Sequence, residues 1–183
     1  MHFHFNCGGV DNIVQGVSTI GISRPSMHSP GRLAIPSDTV IEVCYDGKSP
    51  LTNALRRGHF ACKKIEIPLK SVPVSGNGTV RYSISEGSFY GEAPAHVVIH
   101  WVVMTGGLGF ADPLTALEAG RLFLRHRRFG DYVTLFALPD RGQMCELVMG
   151  DFDGGFGVEI RRIELDRIYG TDVSFLTVRR ATP

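Results

Sequence analysis

The sequence predicts an all-β fold: an eight-stranded antiparallel jelly-roll sandwich with one or two short helices in its connections. Eight apolar, strand-like segments are spread along the chain, and turn-forming residues separate them. The 183 residues include 22 Gly and 10 Pro, which is a turn-rich composition. A chain of this length buries about 70% of its unfolded surface, so it supports one domain with its own hydrophobic core.

The first 31 residues differ from the rest of the chain. The end of this stretch, Ser23–Gly31, is rich in Ser and Pro and suits neither a helix nor a central strand. Residues 1–31 are therefore expected to form an extended N-terminal arm. The regular pattern begins at Arg32, so residues 32–183 are assigned to the jelly-roll domain.

Strand signals dominate the first half of this domain. The β-branched run Thr39–Tyr45 ends at the turn signal Asp46-Gly47, which predicts a strand. Three further strands are predicted at His59–Leu69, Thr79–Ser85 and His96–Met104. Asn77-Gly78, a strong hairpin signal, lies between the first two of these. A short helix is predicted at Ser49–Leu55, with Pro50 at its first helical position.

The second half of the domain begins with a longer helix. In Asp112–Phe123, Asp112 is suited to cap the helix and Pro113 to begin it, and leucines recur near helical spacing. Gly120 is expected to allow an early end. Four strands complete the predicted set, at Asp131–Leu138, Met144–Met149, Phe156–Leu165 and Val173–Val178. A turn is predicted at Asp151–Gly155, between the second and third of them.

Charge and hydropathy narrow the function classes. The 19 Lys and Arg balance 18 Asp and Glu, so no global cationic field attracts nucleic acid or anionic lipid. The longest apolar stretch, Ala95–Met104, is half the length of a membrane-spanning helix. The N-terminus lacks the pattern of a secretory signal, which favours a cytosolic origin. The four widely spaced cysteines are expected to be free thiols.

Two groups of residues suggest a metal site. His2, His4 and Cys7 offer imidazole and thiolate ligands, although the alternation of His with Phe equally fits a strand with one polar face. A cupin-type site would use His96 and His100, which share a face of the predicted strand, with Glu118 as the nearest carboxylate. Buried or interfacial polar side chains explain the two histidines more simply, so the sequence assigns no metal.

Basic residues concentrate in three places. The densest run contains Arg121, Arg125, Arg127 and Arg128, and two pairs follow, Arg161-Arg162 and Arg179-Arg180. Arginines of this kind bind RNA phosphates or carboxylates of a neighbouring subunit. A solvated surface is the alternative, and the balanced net charge favours it.

Between residues 97 and 138 the features follow a specific order. An apolar strand ends in Ile99-His100-Trp101-Val102-Val103, and a Gly-rich loop, a short helix from Asp112-Pro113 and the strand Tyr132-Val133-Thr134-Leu135 follow. This order resembles the central part of the jelly-roll coat proteins of small plant RNA viruses. It is most similar to the picorna-like secoviruses, the nepoviruses, comoviruses and cheraviruses, whose capsid domains carry a similar Trp-Val-Val strand, loop and helix.

The resemblance implies a structural capsid protein in an icosahedral pseudo-T=3 shell around single-stranded RNA. Such shells contain three jelly-roll domains, so the expected partners are two further coat-protein chains or domains. Contact with genomic RNA is expected to be weak or local, and none is expected with membranes. The implied location is the virion, and the host cytoplasm during assembly.

The coat-protein hypothesis assigns residues to subunit interfaces and not to catalysis. Trp101 is the main apolar candidate, with His96, His100, Arg121, Arg125, Arg127 and Arg128 beside it. The contacts expected with RNA or with a neighbouring subunit's charges fall to Arg161, Arg162, Arg179 and Arg180. No catalytic residue, cofactor or metal is assigned.

Three other functions remain open from the sequence. A lectin-like jelly roll would hold a small ligand in a sheet concavity, and a cupin-type enzyme would use His96 and His100 as metal ligands. A movement or silencing-suppressor protein of a plant virus would bind RNA with a steep dependence on salt.

Overall fold

A computed structural model describes residues 39–47, 49–74, 76–89, 91–104, 109–122, 124, 130–139 and 142–180, with the backbone alone at 180. Within these residues the protein is mostly β, with three α-helices and ten strands. The helices are α1 (Pro50–Arg57), α2 (Ala95–Met104) and α3 (Pro113–Leu122). The strands are β1 (Val40–Cys44), β2 (Lys63–Ile65), β3 (Thr79–Gly87), β4 (Ala93–Pro94), β5 (Gly109–Phe110), β6 (Asp131–Ala137), β7 (Met144–Phe152), β8 (Gly155–Arg162), β9 (Ile168–Tyr169) and β10 (Val173–Arg180). The expected N-terminal arm, 1–31, lies outside the described residues.

Eight of the strands form one mixed sheet. Seven of them run in the order β1-β3-β10-β6-β7-β8-β2, and β5 pairs with β10 beside β6. The pairs β6–β10 and β2–β8 are parallel and the other pairs of this sheet are antiparallel. The predicted antiparallel arrangement is therefore wrong at these two pairs. Short hairpins impose antiparallel pairing, but these four strands pair across long connections. The sequence composition does not specify whether strands joined in this way run parallel or antiparallel.

Helices lie against both faces of this sheet. Along β6, Tyr132 and Phe136 belong to a core shared with α1 and α3, whereas Val133 and Leu135 belong to a second core shared with α2. Because successive side chains of a strand point to opposite faces, the two cores lie on opposite sides of the sheet. Strands β4 and β9 form a separate two-stranded sheet beside the start of α2. The described strands thus do not pack as two facing four-stranded sheets.

The region predicted as the strand His96–Met104 is instead helix α2. Ala95, Val98 and Val102 are buried, and their spacing of three and four residues matches one helix face. The first two backbone N–H groups of the helix, those of Ala95 and His96, donate to carbonyl oxygens in residues 165–167. An apolar run of this length suits a buried strand or a helix equally well, and the strand prediction for this region was wrong.

The other two helices follow the prediction closely. Pro50 begins α1, which buries Leu51, Ala54 and Leu55. Asp112 caps α3 because its Oδ1 accepts hydrogen bonds from the N–H groups of Leu114 and Thr115, at 3.0 and 3.3 Å. The sequence suggested that Gly120 ends this helix early, and this prediction is wrong.

Gly120 has a packing role within α3. A Cβ at this position would lie 2.5 Å from Met149 Sδ, so glycine lets the helix approach β7 closely. The helix continues past Gly120 to Leu122.

The segment 59–78 departs most from the predicted strands. The predicted strand His59–Leu69 is reduced to the three residues of β2, and a short 3-10 helix, Leu69–Ser71, follows. The Asn77-Gly78 signal joins no hairpin between β2 and β3, because β2 pairs with β8. Gly78 instead helps to close the β1–β3 pair, where its carbonyl accepts the Tyr45 N–H at 2.9 Å.

The predicted turn at Asp151–Gly155 is confirmed and links β7 to β8. Phe152 lies opposite Gly155, which leaves Asp153 and Gly154 as a two-residue loop. Gly154 has φ +107°, a backbone conformation that favours glycine. No helix in the described part of the chain is long and apolar enough to cross a membrane.

Candidate functional site

Among the residues that the structure describes, the outer face of α2 is an unusually apolar surface. The helix sequence, AHVVIHWVVM, contains no Lys, Arg, Asp or Glu, and its side chains are apolar around most of its circumference. His96, His100, Val103 and Met104 are exposed on the side that faces away from the sheet. These four residues are called the outer α2 face. Val103 is 72% exposed and Met104 is 67% exposed.

The turn 163–167 holds the N-terminal end of the outer α2 face. His96 donates its backbone N–H to the carbonyl oxygen of Leu165, at 3.0 Å, and its ring Nδ1 lies 3.0 Å from the same oxygen. The Leu165 and Ile168 side chains are also exposed. Exposed apolar side chains therefore also lie on this turn and at the start of β9.

Trp101 lies between the outer α2 face and the sheet. Its ring meets the Phe89 ring edge-on, with 5.5 Å between centroids. The ring also covers Gly87, where a Cβ would overlap a ring carbon. Trp101 thus uses part of its surface for packing within the chain, and its role at a subunit interface stays a prediction.

The buried carboxylate of Glu146, on β7, is bound by three side chains beneath the turn that supports α2. Its Oε1 accepts from Arg161 Nε at 2.5 Å and lies 3.0 Å from Arg167 Nε. Its Oε2 accepts from the Tyr169 hydroxyl at 2.7 Å. Glu146 itself has no exposed surface. We call these four residues the Glu146 cluster.

Two groups of the Glu146 cluster have shifted pKa values. Burial raises the pKa of the Tyr169 hydroxyl above its usual range, and the negative charge of Glu146 raises it further. Burial lowers the pKa of Arg161, but its bonds to Glu146 and Glu159 more than compensate, so its pKa lies above the usual value. Both shifts favour a protonated tyrosine and a charged arginine. The cluster therefore holds the segment 163–169, which includes this turn and β9, to β7 and β8.

Of the arginines predicted to contact RNA or another subunit, the structure describes four, of which two bind carboxylates of the chain itself and two are exposed. Arg161 binds Glu146 and Glu159 within the chain, and Arg121 Nε donates to Glu118 at 2.8 Å. Arg162 and Arg179 are exposed on strands β8 and β10. The other four predicted positions, Arg125, Arg127, Arg128 and the Arg180 side chain, lie outside the described residues. Contacts of any of these residues with RNA or another subunit stay predictions.

The structure does not assemble the predicted cupin site. His96 and His100 lie on the outside of a helix, and Glu118 lies on α3 against the opposite face of the sheet. Glu118 is bound by Arg57 and Arg121. Nowhere in the described ranges do three or more His, Cys, Asp or Glu side chains converge on a metal position. The His2, His4 and Cys7 group lies outside those ranges.

Two further features offer little for ligand chemistry. An open depression of about 420 Å³ is lined by residues 161–164 and 166–168, but Glu146 already engages Arg161 and Arg167 there. Cys145 is fully buried, and burial raises the pKa of its thiol although the Arg162 charge opposes this shift. A protonated, inaccessible thiol is a poor nucleophile.

Comparisons with families of known proteins, with curated protein sequences and with solved structures find no match. The outer α2 face and the Glu146 cluster beneath its supporting turn therefore define the candidate site. Both surround the segment 163–169, which contacts the start of α2 on one side and β7 on the other.

Sequence reasoning missed Glu146, although a usable signal was present. The predicted turn at Asp151–Gly155 implies a β-hairpin, and a two-residue loop at 153–154 fixes its register. That register places Glu146 opposite Arg161, as the structure has it. Tyr169 and Arg167 reach Glu146 through a turn, and the sequence of that turn carries no comparable signal.

Proposed function

We propose that this chain is a structural subunit that assembles with other protein subunits through the outer α2 face. The observation that carries the proposal is that α2 contains no Lys, Arg, Asp or Glu and is apolar around most of its circumference. A surface helix ordinarily carries charged or polar residues on the face opposite its buried apolar stripe. In this chain only one side of α2 is buried against the sheet, which leaves Val103 and Met104 as exposed apolar side chains.

A protein partner fits this surface better than a lipid surface. Helices that lie on membranes carry Lys or Arg on the polar face, and α2 has neither. At ten residues α2 is about 15 Å long, half of a bilayer core. Burial of Val103 or Met104 against another subunit would contribute roughly 1.5–3 kcal/mol for each side chain. The net charge of +1 opposes association only weakly.

In its specific form, the proposal makes the chain a coat-protein subunit of an icosahedral virus shell. The sequence resemblance supports this form through the helix that begins at Pro113 and the strand that includes Tyr132–Leu135. Ile99–Val103, a strand in the resemblance, is helical in the structure, and residues 105–108 of the Gly-rich loop lie outside the described residues. The jelly-roll assignment belongs to this specific form as well, and the two parallel strand pairs weigh against it.

The coat-protein form also proposes contact with genomic RNA. Arg162 and Arg179 are the arginines best placed for it among the described candidates, because both are exposed strand residues. Arg121 and Arg161 already bind carboxylates of their own chain, so phosphate would have to compete with those ion pairs.

Sedimentation velocity of the full chain tests the assembly proposal. Val103→Asp places a charge on the outer α2 face and should shift the population towards the 20.0 kDa monomer. Leu122→Asp is the matched control, because Leu122 is a partly exposed apolar residue of α3, on the other side of the sheet. Unchanged association of the Val103→Asp variant, or equal loss in both variants, would overturn the proposal.

A further inference from the structure

His96 and His100 lie four residues apart on the exposed side of α2. Residues at this spacing are neighbours on a helix surface, separated by about 6 Å along the axis. Both side chains therefore project from the same side, one turn apart. The predicted strand would also have placed them on one face, but with twice the separation along the chain axis.

The hydrogen bond of His96 fixes which ring nitrogen is available. A backbone carbonyl oxygen only accepts hydrogen bonds, so the 3.0 Å contact between Nδ1 and the Leu165 oxygen requires a proton on Nδ1. In the neutral ring the lone pair then resides on Nε2. Metal-binding histidines usually donate their second ring nitrogen to a carbonyl or carboxylate in this way. His96 is thus oriented as a ligand by a contact with its own chain that does not involve His100.

We propose that His96 and His100 form a two-histidine clamp for a divalent transition-metal ion of the Zn²⁺, Ni²⁺ or Cu²⁺ class. Imidazole nitrogen suits these ions, whereas Ca²⁺ and Mg²⁺ prefer oxygen ligands. The clamp supplies two ligands and leaves the other coordination positions to water or to groups of a docked protein. It binds metal on the single subunit, so it goes beyond the assembly proposal and does not depend on it.

The surroundings of the clamp favour this inference over a cupin-type site. No third His, Cys, Asp or Glu converges on the pair in the part of the chain that the structure describes. The ion therefore remains open to solvent on the outer α2 face, beside Val103 and Met104. A two-ligand site of this kind anchors an ion at a surface and provides no enclosed pocket for substrate.

Zinc titration by calorimetry, joined to NMR of the histidine rings, tests the clamp. Because His2, His4 and Cys7 also offer ligands, the measurement uses the full chain with all three replaced by alanine. We expect zinc to bind this background, and His100→Ala to weaken binding roughly tenfold or more, since even outer-shell changes cost 10–100-fold. His59→Ala is the matched control, because His59 is another exposed histidine, outside the pair.

The NMR measurement locates the bound zinc ion. Zinc should shift the ring resonances of His96 and His100 and leave that of His59 unchanged, with Nε2 as the shifted nitrogen of His96. Circular dichroism of the His100→Ala variant checks that the fold is intact. Zinc affinity that His100→Ala leaves unchanged, or zinc shifts that spare both histidines, would overturn the proposal.

Discussion

Replacing Glu146 by Gln tests whether the Glu146 cluster holds the support of α2 in place. The substitution keeps the side-chain shape and removes the charge that faces Arg161 and Arg167. It also turns one acceptor oxygen into an NH₂ group, which cannot accept the hydrogen bond of Tyr169 or pair with an arginine. Two guanidinium groups then remain beside a carboxamide that has no exposed surface.

The expected loss in the free energy of unfolding follows from how deeply each side chain of the ion pairs is buried. Removal of one partner from a buried ion pair costs about 3–5 kcal/mol. Here the Arg161 and Arg167 side chains are 26% and 36% exposed and regain some hydration, so the lower end applies. We expect the free energy of unfolding to fall by about 3 kcal/mol. For a domain of this size that corresponds to a melting temperature lower by roughly 6–12 °C.

Urea denaturation followed by circular dichroism measures this loss as a lower midpoint at an unchanged slope. Glu42→Gln is the matched control, since Glu42 also lies on a strand and pairs with an arginine, Arg81, at 3.5 Å. Both side chains of that pair are exposed, so its loss should cost less than about 1 kcal/mol. If the two variants unfold at the same urea concentration, the cluster does not contribute as argued.

Three further predictions concern the core and the titration of buried tyrosine. Gly87→Ala should displace the ring of Trp101, and because this is the sole tryptophan of the chain, a shift of the fluorescence maximum reports it; an unchanged spectrum would refute the packing. Leu114→Ala should lower the free energy of unfolding by about 2–5 kcal/mol in urea titrations, since Leu114 is fully buried, and a cost below 1 kcal/mol would contradict that burial. Burial holds the pKa of Tyr169 above its ordinary value, so above about pH 10 the unfolded chain loses this proton first and stability falls. Tyr169→Phe should make that alkaline fall shallower, and an identical pH profile would count against it.

Local sequence signals located many elements of the fold correctly. The Asp112-Pro113 pair marked the start of α3, and Pro50 marked that of α1. The β-branched run at 40–44 and the turn at 153–154 were equally informative. Each of these signals depends only on residues a few positions apart. It therefore predicts the local structure without knowledge of tertiary contacts.

Long-range contacts account for what the sequence did not predict. Residues 95–104 include many β-branched side chains, which favour strands, yet they form a helix whose first N–H groups bond to residues 165–167. Tertiary packing on the sheet outweighs the local preference there. The parallel pair β6–β10 likewise joins segments some 40 residues apart, beyond the reach of turn signals.

The candidate site was predicted in part. His96, His100 and Trp101 were singled out as interface residues, and they do lie together on α2, but on a helix and not a strand. Arg161 was assigned to contacts outside the chain, whereas it binds Glu146 within it. A strand pattern does not reveal which charges become buried, so only the hairpin register could have identified this partner.

The oxidation rate of Met104 by hydrogen peroxide tests most directly whether another subunit covers the outer α2 face. Met104 is 67% exposed in the single chain, and the fully buried Met149 serves as an internal reference. Mass spectrometry of the two methionine peptides gives both rates across a dilution series of the protein. If another subunit covers this face, Met104 is protected at high concentration and is oxidised faster on dilution. Fast oxidation of Met104 at every concentration would contradict it.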